Sequence, residues 1–467
     1  MPTRRAVWIA AVLAALALAI EGGDRLRRRQ GGGPARFDRV VLVTIDALRA
    51  DHVGSYGYRR PTTPFLDRLA ERGARFEAAF SPCPVTNPSH ASMLTGLFPH
   101  RHGVLSNRHR LDASLPSLAR RLRSQGFDTA AFASVSFLES LNSGFYRFDA
   151  RLRPGSETVN AAIDWLKSER NSERFFLWVH LYDVHEWWRM DWANPSLPIE
   201  VKTSIPGDVR PYMSSLHGWP TPFLAKWVLH GGREITSLVE ALEIIDDYDA
   251  RLLYADGQIE RLYQAVEETP GGGETLWIVT SDHGEGLGGH GYLTHGVNLH
   301  DEQLRVPLIV SGNEGSIPPA VIDSLVSLVD LPATVLELTV ADAGAAWGDG
   351  RSLASLLLGR RRETQRDRVA FAERAAYAAW MEKFGAVEEN VHAAFDGRHK
   401  LILHGRGSDE VYDLLADPME TQNLRDAPPH LASFLGQISS ERVRESQPAP
   451  ELPAHIEAEL QALGYVE

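Results

Sequence analysis

The chain has 467 residues, 61 acidic against 48 basic side chains, a formal net charge of −13 and a single cysteine. The acidic balance excludes a nucleic-acid binder that works through a basic face. One cysteine excludes an internal disulfide, and the length suits one large α/β domain plus a smaller one, since single cores rarely grow past about 250–300 residues.

Residues 1–33 read as separate from the globular part. Arg4 and Arg5 precede an apolar run, Ala6 to Ile20, and a Gly- and Arg-rich stretch follows. The run is shorter than the roughly 20 residues that span a bilayer and suits the core of a signal peptide. Ala15-Leu16-Ala17 and Ala17-Leu18-Ala19 offer small-residue cleavage patterns. Export to a periplasmic or extracellular location is the expectation, by a cleaved signal peptide or by an uncleaved anchor that associates with the membrane through residues 6–20. Against the anchor, Arg25, Arg27, Arg28 and Arg29 lie on the side to be exported, contrary to the usual placement of positive charge.

Further along, Val40–Ile45 is a continuous β-branched and apolar run, the pattern of a strand buried on both faces of a parallel sheet. Phe175–Val179, Leu276–Thr280 and Val306–Val310 repeat it. Helical stretches lie between. One covers Pro64–Arg72, after Thr63 as N-cap and before Gly73. Others cover Leu115–Gln125, Thr158–Lys167 and Ile245–Glu268, the last with Tyr248, Leu252, Ala255, Ile259, Leu262 and Val266 on one stripe. Alternating strands and helices predict a mainly parallel sheet flanked by helices. Sites in such sheets form beyond the carboxyl ends of strands, where Asp46, Asp282 and His283 fall. Ala341–Gly350, rich in Ala and Gly, marks the expected boundary between a domain over 34–340 and a C-terminal subdomain over 341–467. There His392–His404 reads as a hairpin turning at Asp396-Gly397, and an antiparallel sheet follows.

Two stretches carry the chemistry. In Thr86–Gly96, Pro88 fits a first helical turn and Gly96 a C-terminal cap. Thr86 then sits at or just before a helix N-terminus, where free N–H groups favour an anion. A hydroxyl so placed beside a divalent metal is a candidate nucleophile; without the metal it is only a cap. In Thr280–Gly286, Asp282-His283 follows a buried strand, a costly place for an unpaired carboxylate. Carboxylate with imidazole is an O/N donor set that suits zinc or manganese more than calcium, and zinc is the expected ion. His290, His295 and His300 follow closely, His300 being best read as lying outside the immediate site. Gly284–Gly289 matches G-x-G-x-x-G after a strand, but with no helical stripe behind it the dinucleotide reading fails. These glycines are expected to let backbone pass close to a metal and an oxyanion.

With these pieces the chain resembles the sulfatase family of the alkaline phosphatase superfamily, over most of residues 38–467. The matching motifs are Thr44–Tyr58, Thr86–Gly96 with Pro99–Val104, His180–His185, Ser281–Val306, His399–Ile402, Val411–Leu424 and Leu463-Gly464-Tyr465. The resemblance implies an alkaline-phosphatase-like fold and an ester hydrolase with a bound divalent metal. Asp46, Thr86, Asp282 and His283 fall at metal-ligand positions, with Thr86 also the nucleophile. His295 falls where the family contacts the transferred group, His185 near the leaving group, and His90 where sulfatases place an arginine that supports the nucleophile. Ala47 replaces a second aspartate, and His102 and Asp183 are candidates for structural, supporting or second-metal roles.

Sulfatases carry cysteine or serine at the Thr86 position, oxidised to formylglycine. Threonine cannot be converted in that way, and Cys83 lies three residues upstream without the following Pro and Arg. In this the chain is similar to threonine-nucleophile relatives that act on phosphoesters by hydrolysis or transfer. The expected substrate is a small or lipid-linked anionic ester, with Trp187, Trp188 and Trp192 as a candidate pocket lining. The alternatives are a sulfatase that works without formylglycine and a catalytically silent envelope protein.

Overall fold

The computed structural model describes residues 37–170, 172–185, 238–271, 273–291, 294–340, 346–360, 368–376, 390–405, 408–440 and 452–463. The export segment, the tryptophans at 187, 188 and 192, and the end of the Leu463-Gly464-Tyr465 motif lie outside them. Among the described residues no helix is long and apolar enough to cross a membrane.

The main sheet has nine strands: β1 (Arg39–Ile45), β2 (Ala74–Phe80), β3 (Asp128–Ala133), β4 (Arg147–Ala150), β5 (Phe175–Leu181), β6 (Thr275–Ser281), β7 (Arg305–Val306), β8 (Leu308–Gly312) and β9 (Ala320–Ser327). Their order is β4-β3-β5-β1-β6-β8-β2-β7, with β9 against β2. β1 lies between β5 and β6, parallel to both. Its alternate residues feed two cores: Val40 and Leu42 pack in one hydrophobic layer, and Val41, Val43 and Ile45 in the other. This is why the run is apolar throughout rather than alternating.

The Val306–Val310 run is divided at Pro307, which has no N–H for a ladder. β8 runs antiparallel to β6 and to β2. Apolar patterning reports burial on both faces, which β8 has, and carries no record of direction. Two reversals in sequence restore β2 to the direction of β6, so the carboxyl ends of β1, β2, β5 and β6 share one edge of the sheet.

Helices cover both faces. Pro64–Arg72 forms as the spacing predicts, but Thr63 makes no side-chain cap. The carboxylate of Asp256, reaching from the helix Leu238–Glu267, accepts the N–H groups of Phe65 and Leu66 at 2.8 and 2.9 Å instead. The expected helix at 115–125 shortens to Leu118–Ser124, capped by the Ser117 hydroxyl, and the expected Thr158–Lys167 begins earlier, at Gly155. A separate antiparallel sheet follows near the C-terminus, in the order Ala370–Arg374, Val391–Phe395, His399–His404 and Glu410–Asp413. Its central hairpin turns at Gly397, whose φ of 84° needs glycine. The helix Ala454–Ala462 returns to the main core through Ile456 and Leu460.

Candidate functional site

Asp46 is the residue after β1, and Asp282 and His283 follow β6. Because β1 and β6 are adjacent and in register, Ile45 opposite Ser281, the two carboxylates emerge side by side. Ala47 turns the chain with φ 55°, a left-handed conformation rare for alanine. That turn is clamped from both sides. The Ala47 N–H donates to Asp282 Oδ1 at 3.2 Å, and the Tyr248 hydroxyl donates to the Ala47 carbonyl at 2.8 Å.

Thr86 is the first residue of the helix Thr86–Thr95, after the extended Val85, and Gly96 closes the helix in the left-handed region. All ten helical residues are buried, Thr86 completely. Its hydroxyl lies 3.2 Å from His283 Nε2. His283 Nδ1 donates to the Gly284 carbonyl at 2.8 Å, so in the neutral ring Nε2 is an acceptor and takes the Thr86 hydroxyl. The same Nε2 is 3.5 Å from Asp282 Oδ2 and 4.0 Å from Asp46 Oδ1. Thr86, Asp46, Asp282 and His283 therefore converge.

The buried carboxylates decide which group these residues suit. Both Asp46 oxygens and Asp282 Oδ2 are buried without a hydrogen-bond partner. Burial, and next the charge of Asp282, holds the Asp46 carboxyl well above the usual carboxylate range. Burial pushes Asp282 the same way, but the neighbouring imidazoles, His283 first, and the Ala47 N–H draw it below Asp46. Unpartnered buried carboxylate oxygens beside an imidazole acceptor are the donor set of a divalent cation, and Asp46, Asp282 and His283 offer three ligand atoms within 4.8 Å of one another. The residues fit such an ion.

The other named residues divide. His295 stacks on His283 with centroids 4.3 Å apart, and its Nε2 lies 3.2 Å from His185 Nε2, so both histidines reach the site. His90 donates Nδ1–H to the Thr86 carbonyl at 2.8 Å and so braces the first turn of its helix. Cys83 is buried and its thiol is pushed up by burial, an inert cysteine. His290 and His300 instead stack on each other at 3.5 Å and join Glu302 and Glu410, toward the C-terminal sheet. His102 bonds Ser92 and the Val104 N–H, and Asp183 Oδ1 takes the Gly155 N–H. Gly284 is needed for close backbone approach to another segment of the chain: a Cβ there would lie 2.1 Å from the Glu302 carbonyl oxygen.

Three residues escaped the sequence reading. Glu285, buried, takes His295 Nδ1 at 3.2 Å. Tyr248 looked like one more member of an apolar stripe. His180, on β5 opposite Thr44, places Nε2 3.3 Å from Asp46 Oδ2. For His180 the signal was an imidazole one residue before the end of an otherwise apolar strand.

Residues 38–341 match the profile of the Sulfatase family, and residues 288–444 match one described as N-sulphoglucosamine sulphohydrolase, C-terminal. A Delta 4,5-hexuronate-2-O-sulfatase of Bacteroides thetaiotaomicron is 25% identical over 419 residues, covering 83% of this chain and 84% of that protein. The phosphonate monoester hydrolase of Agrobacterium radiobacter superposes with a TM-score of 0.65 at 20% identity, over 86% of this chain and 94% of the other. A protein solved with its substrate D-glucosamine-2-N,6-O-disulfate superposes with a TM-score of 0.68 at 19% identity, over 89% and 100%. The chain belongs to the sulfatase family of the alkaline phosphatase superfamily. It is a hydrolase acting on ester bonds.

Proposed function

We propose that the chain cleaves phosphoesters, mono- or diesters, with Thr86 as nucleophile and a divalent cation, zinc by its donor set, held by Asp46, Thr86, Asp282 and His283. The observation that carries this reading is the Thr86 hydroxyl, at a helix N-terminus and 3.2 Å from His283 Nε2, beside carboxylate oxygens that have no other partner. A bound cation would favour the ionised hydroxyl and withdraw charge from a nonbridging oxygen. Thr86 Oγ1, its proton released to solvent, attacks phosphorus in line, forming one P–O bond as the bond to the leaving alcohol breaks. His185 and His295 stand ready to bind the anionic group or to protonate the departing oxygen, with Glu285 holding the His295 tautomer. Water then attacks the phosphothreonine and releases Thr86, or an acceptor alcohol takes the phosphoryl group.

A threonine supplies no second hydroxyl to expel the group, so the intermediate must be opened by attack at its central atom, which phosphorus accepts more readily than sulfur. The names of the relatives favour a second reading, hydrolysis of sulfate esters on sugars without formylglycine. One preparation assayed with an aryl sulfate, an aryl phosphate monoester and a bis-aryl phosphate separates the two. Phosphoester turnover well above sulfate turnover, with about one equivalent of metal by elemental analysis, is the expected result. Preferential sulfate cleavage would overturn it. Consistent with the N-terminal run, we place the enzyme outside the cytoplasm.

A further inference from the structure

We propose that His180 is a further ligand for the cation, and that a hydrogen-bond relay from the Thr86 carbonyl through His90 and Thr44 turns its bare Nε2 toward the site. This deepens the reading above and rests on it, since Asp46, Asp282 and His283 are taken to hold the ion.

The relay follows from counting protons. The Thr86 carbonyl can only accept, so His90 Nδ1, 2.8 Å away, carries a hydrogen. His90 is 1% exposed and His180 fully buried, and burial disfavours a charged imidazolium. In the neutral His90 ring Nε2 is therefore bare, and Thr44 Oγ1, 3.0 Å away, donates to it. A hydroxyl has one proton, so Thr44 accepts from its other two neighbours. One is the Trp178 indole N–H at 3.1 Å, which can only donate. The other is His180 Nδ1 at 3.0 Å, which must carry its proton there. His180 Nε2 is left with a lone pair.

That lone pair lies 3.3 Å from Asp46 Oδ2, yet neither atom has a hydrogen-bond partner. Two buried acceptor atoms so close need a positive charge between them, either the Asp46 carboxyl proton or a cation, and a cation in that place would be bound by both. His90, His180 and Asp282 offer ligand atoms within 4.8 Å of one another, but both His90 nitrogens are committed, to Thr86 and to Thr44. His180 is the donor that remains. Its Nδ1–H held by a fixed acceptor is the arrangement that orients metal-binding histidines, and His283 repeats it with the Gly284 carbonyl. At Ala47 there is no carboxylate to complete the shell, and a second imidazole in its place turns the site further from calcium and toward zinc.

The test needs no turnover. Nitrogen-15 histidine NMR of the metal-free chain reads the tautomer, and equilibrium dialysis with zinc reads affinity for wild type, His180→Ala, Thr44→Val and Asp282→Asn, each checked by thermal melt. Expected are an Nδ1–H tautomer at His180, a shift of its Nε2 resonance on zinc loading, and zinc affinity weakened at least about tenfold in His180→Ala and less in Thr44→Val. An Nε2–H tautomer, a His180 resonance indifferent to zinc, or unchanged affinity in folded His180→Ala would overturn the inference. If zinc binding still depends on Asp282 in that event, the proposed function stands. Wild type that binds no zinc would overturn both. Should His180→Ala fail to fold, the wild-type spectra decide alone.

Discussion

Thr86→Ala separates nucleophile from scaffold, because the structure assigns the two roles very different magnitudes. The hydroxyl makes no helix cap, and its hydrogen bond is to His283 Nε2. Deleting it removes one hydrogen bond, a net loss of about 1 kcal/mol. The lost methyl, fully buried, adds roughly 0.8 kcal/mol. Against a folding stability of about 5–15 kcal/mol the variant stays folded. Loss of a covalent nucleophile, by contrast, costs on the order of 10⁴–10⁶ in kcat. That is about 5–8 kcal/mol of barrier. The assay is kcat/KM on the best substrate of the three-ester comparison, with metal content and melting temperature measured on the same sample. The expected variant melts within a few degrees of wild type, still binds metal and has lost at least four decades of rate, while Thr86→Ser recovers much of it. A metal-loaded Thr86→Ala enzyme within tenfold of wild type would refute the assignment.

Asp46→Asn should stabilise the metal-free protein at pH 7 while abolishing zinc binding. The Asp46 carboxyl is held well above its unfolded range by burial and by Asp282, so the folded state holds its proton more tightly, and stability is lost as pH rises toward the folded value. Melts of chelator-treated protein across pH check this, and a variant less stable than wild type at pH 7 would contradict it. Tyr248→Phe strips a donor from the Ala47 carbonyl and an acceptor from the Arg49 N–H. It should cost about 1–3 kcal/mol and weaken zinc binding, read by melt and dialysis; unchanged values on both would count against the clamp. His295→Gln should lower kcat by about 10²–10⁴ with zinc affinity kept, and Glu285→Gln should do so to a smaller degree. A change in affinity alone would move His295 out of the chemistry.

The local elements were legible because their causes are local. Val40–Ile45 declares a two-faced strand by its composition, and Thr86–Gly96 a helix by Pro88 and Gly96. Each candidate at a strand or helix end, Asp46, Thr86, Asp282 and His283, lies where its local sequence placed it. Local rules fail where distant chain competes with them. Asp256 caps the helix that Thr63 was expected to cap. Gly284 answers to the carbonyl of Glu302, which a Cβ there would strike.

By itself the sequence determined the strand and helix types, the ester-hydrolase family and the residue kinds of the site, since periodicity, capping and motif spacing are properties of neighbours along the chain. Only the tertiary structure decided that β8 runs antiparallel, that β5 and β6 flank β1, and that His180, Thr44 and Tyr248 stand behind the carboxylates. Apart from the β6–β8 pairing, those relations join residues more than 130 positions apart, and what holds them is sheet register and the need to pair every buried polar group.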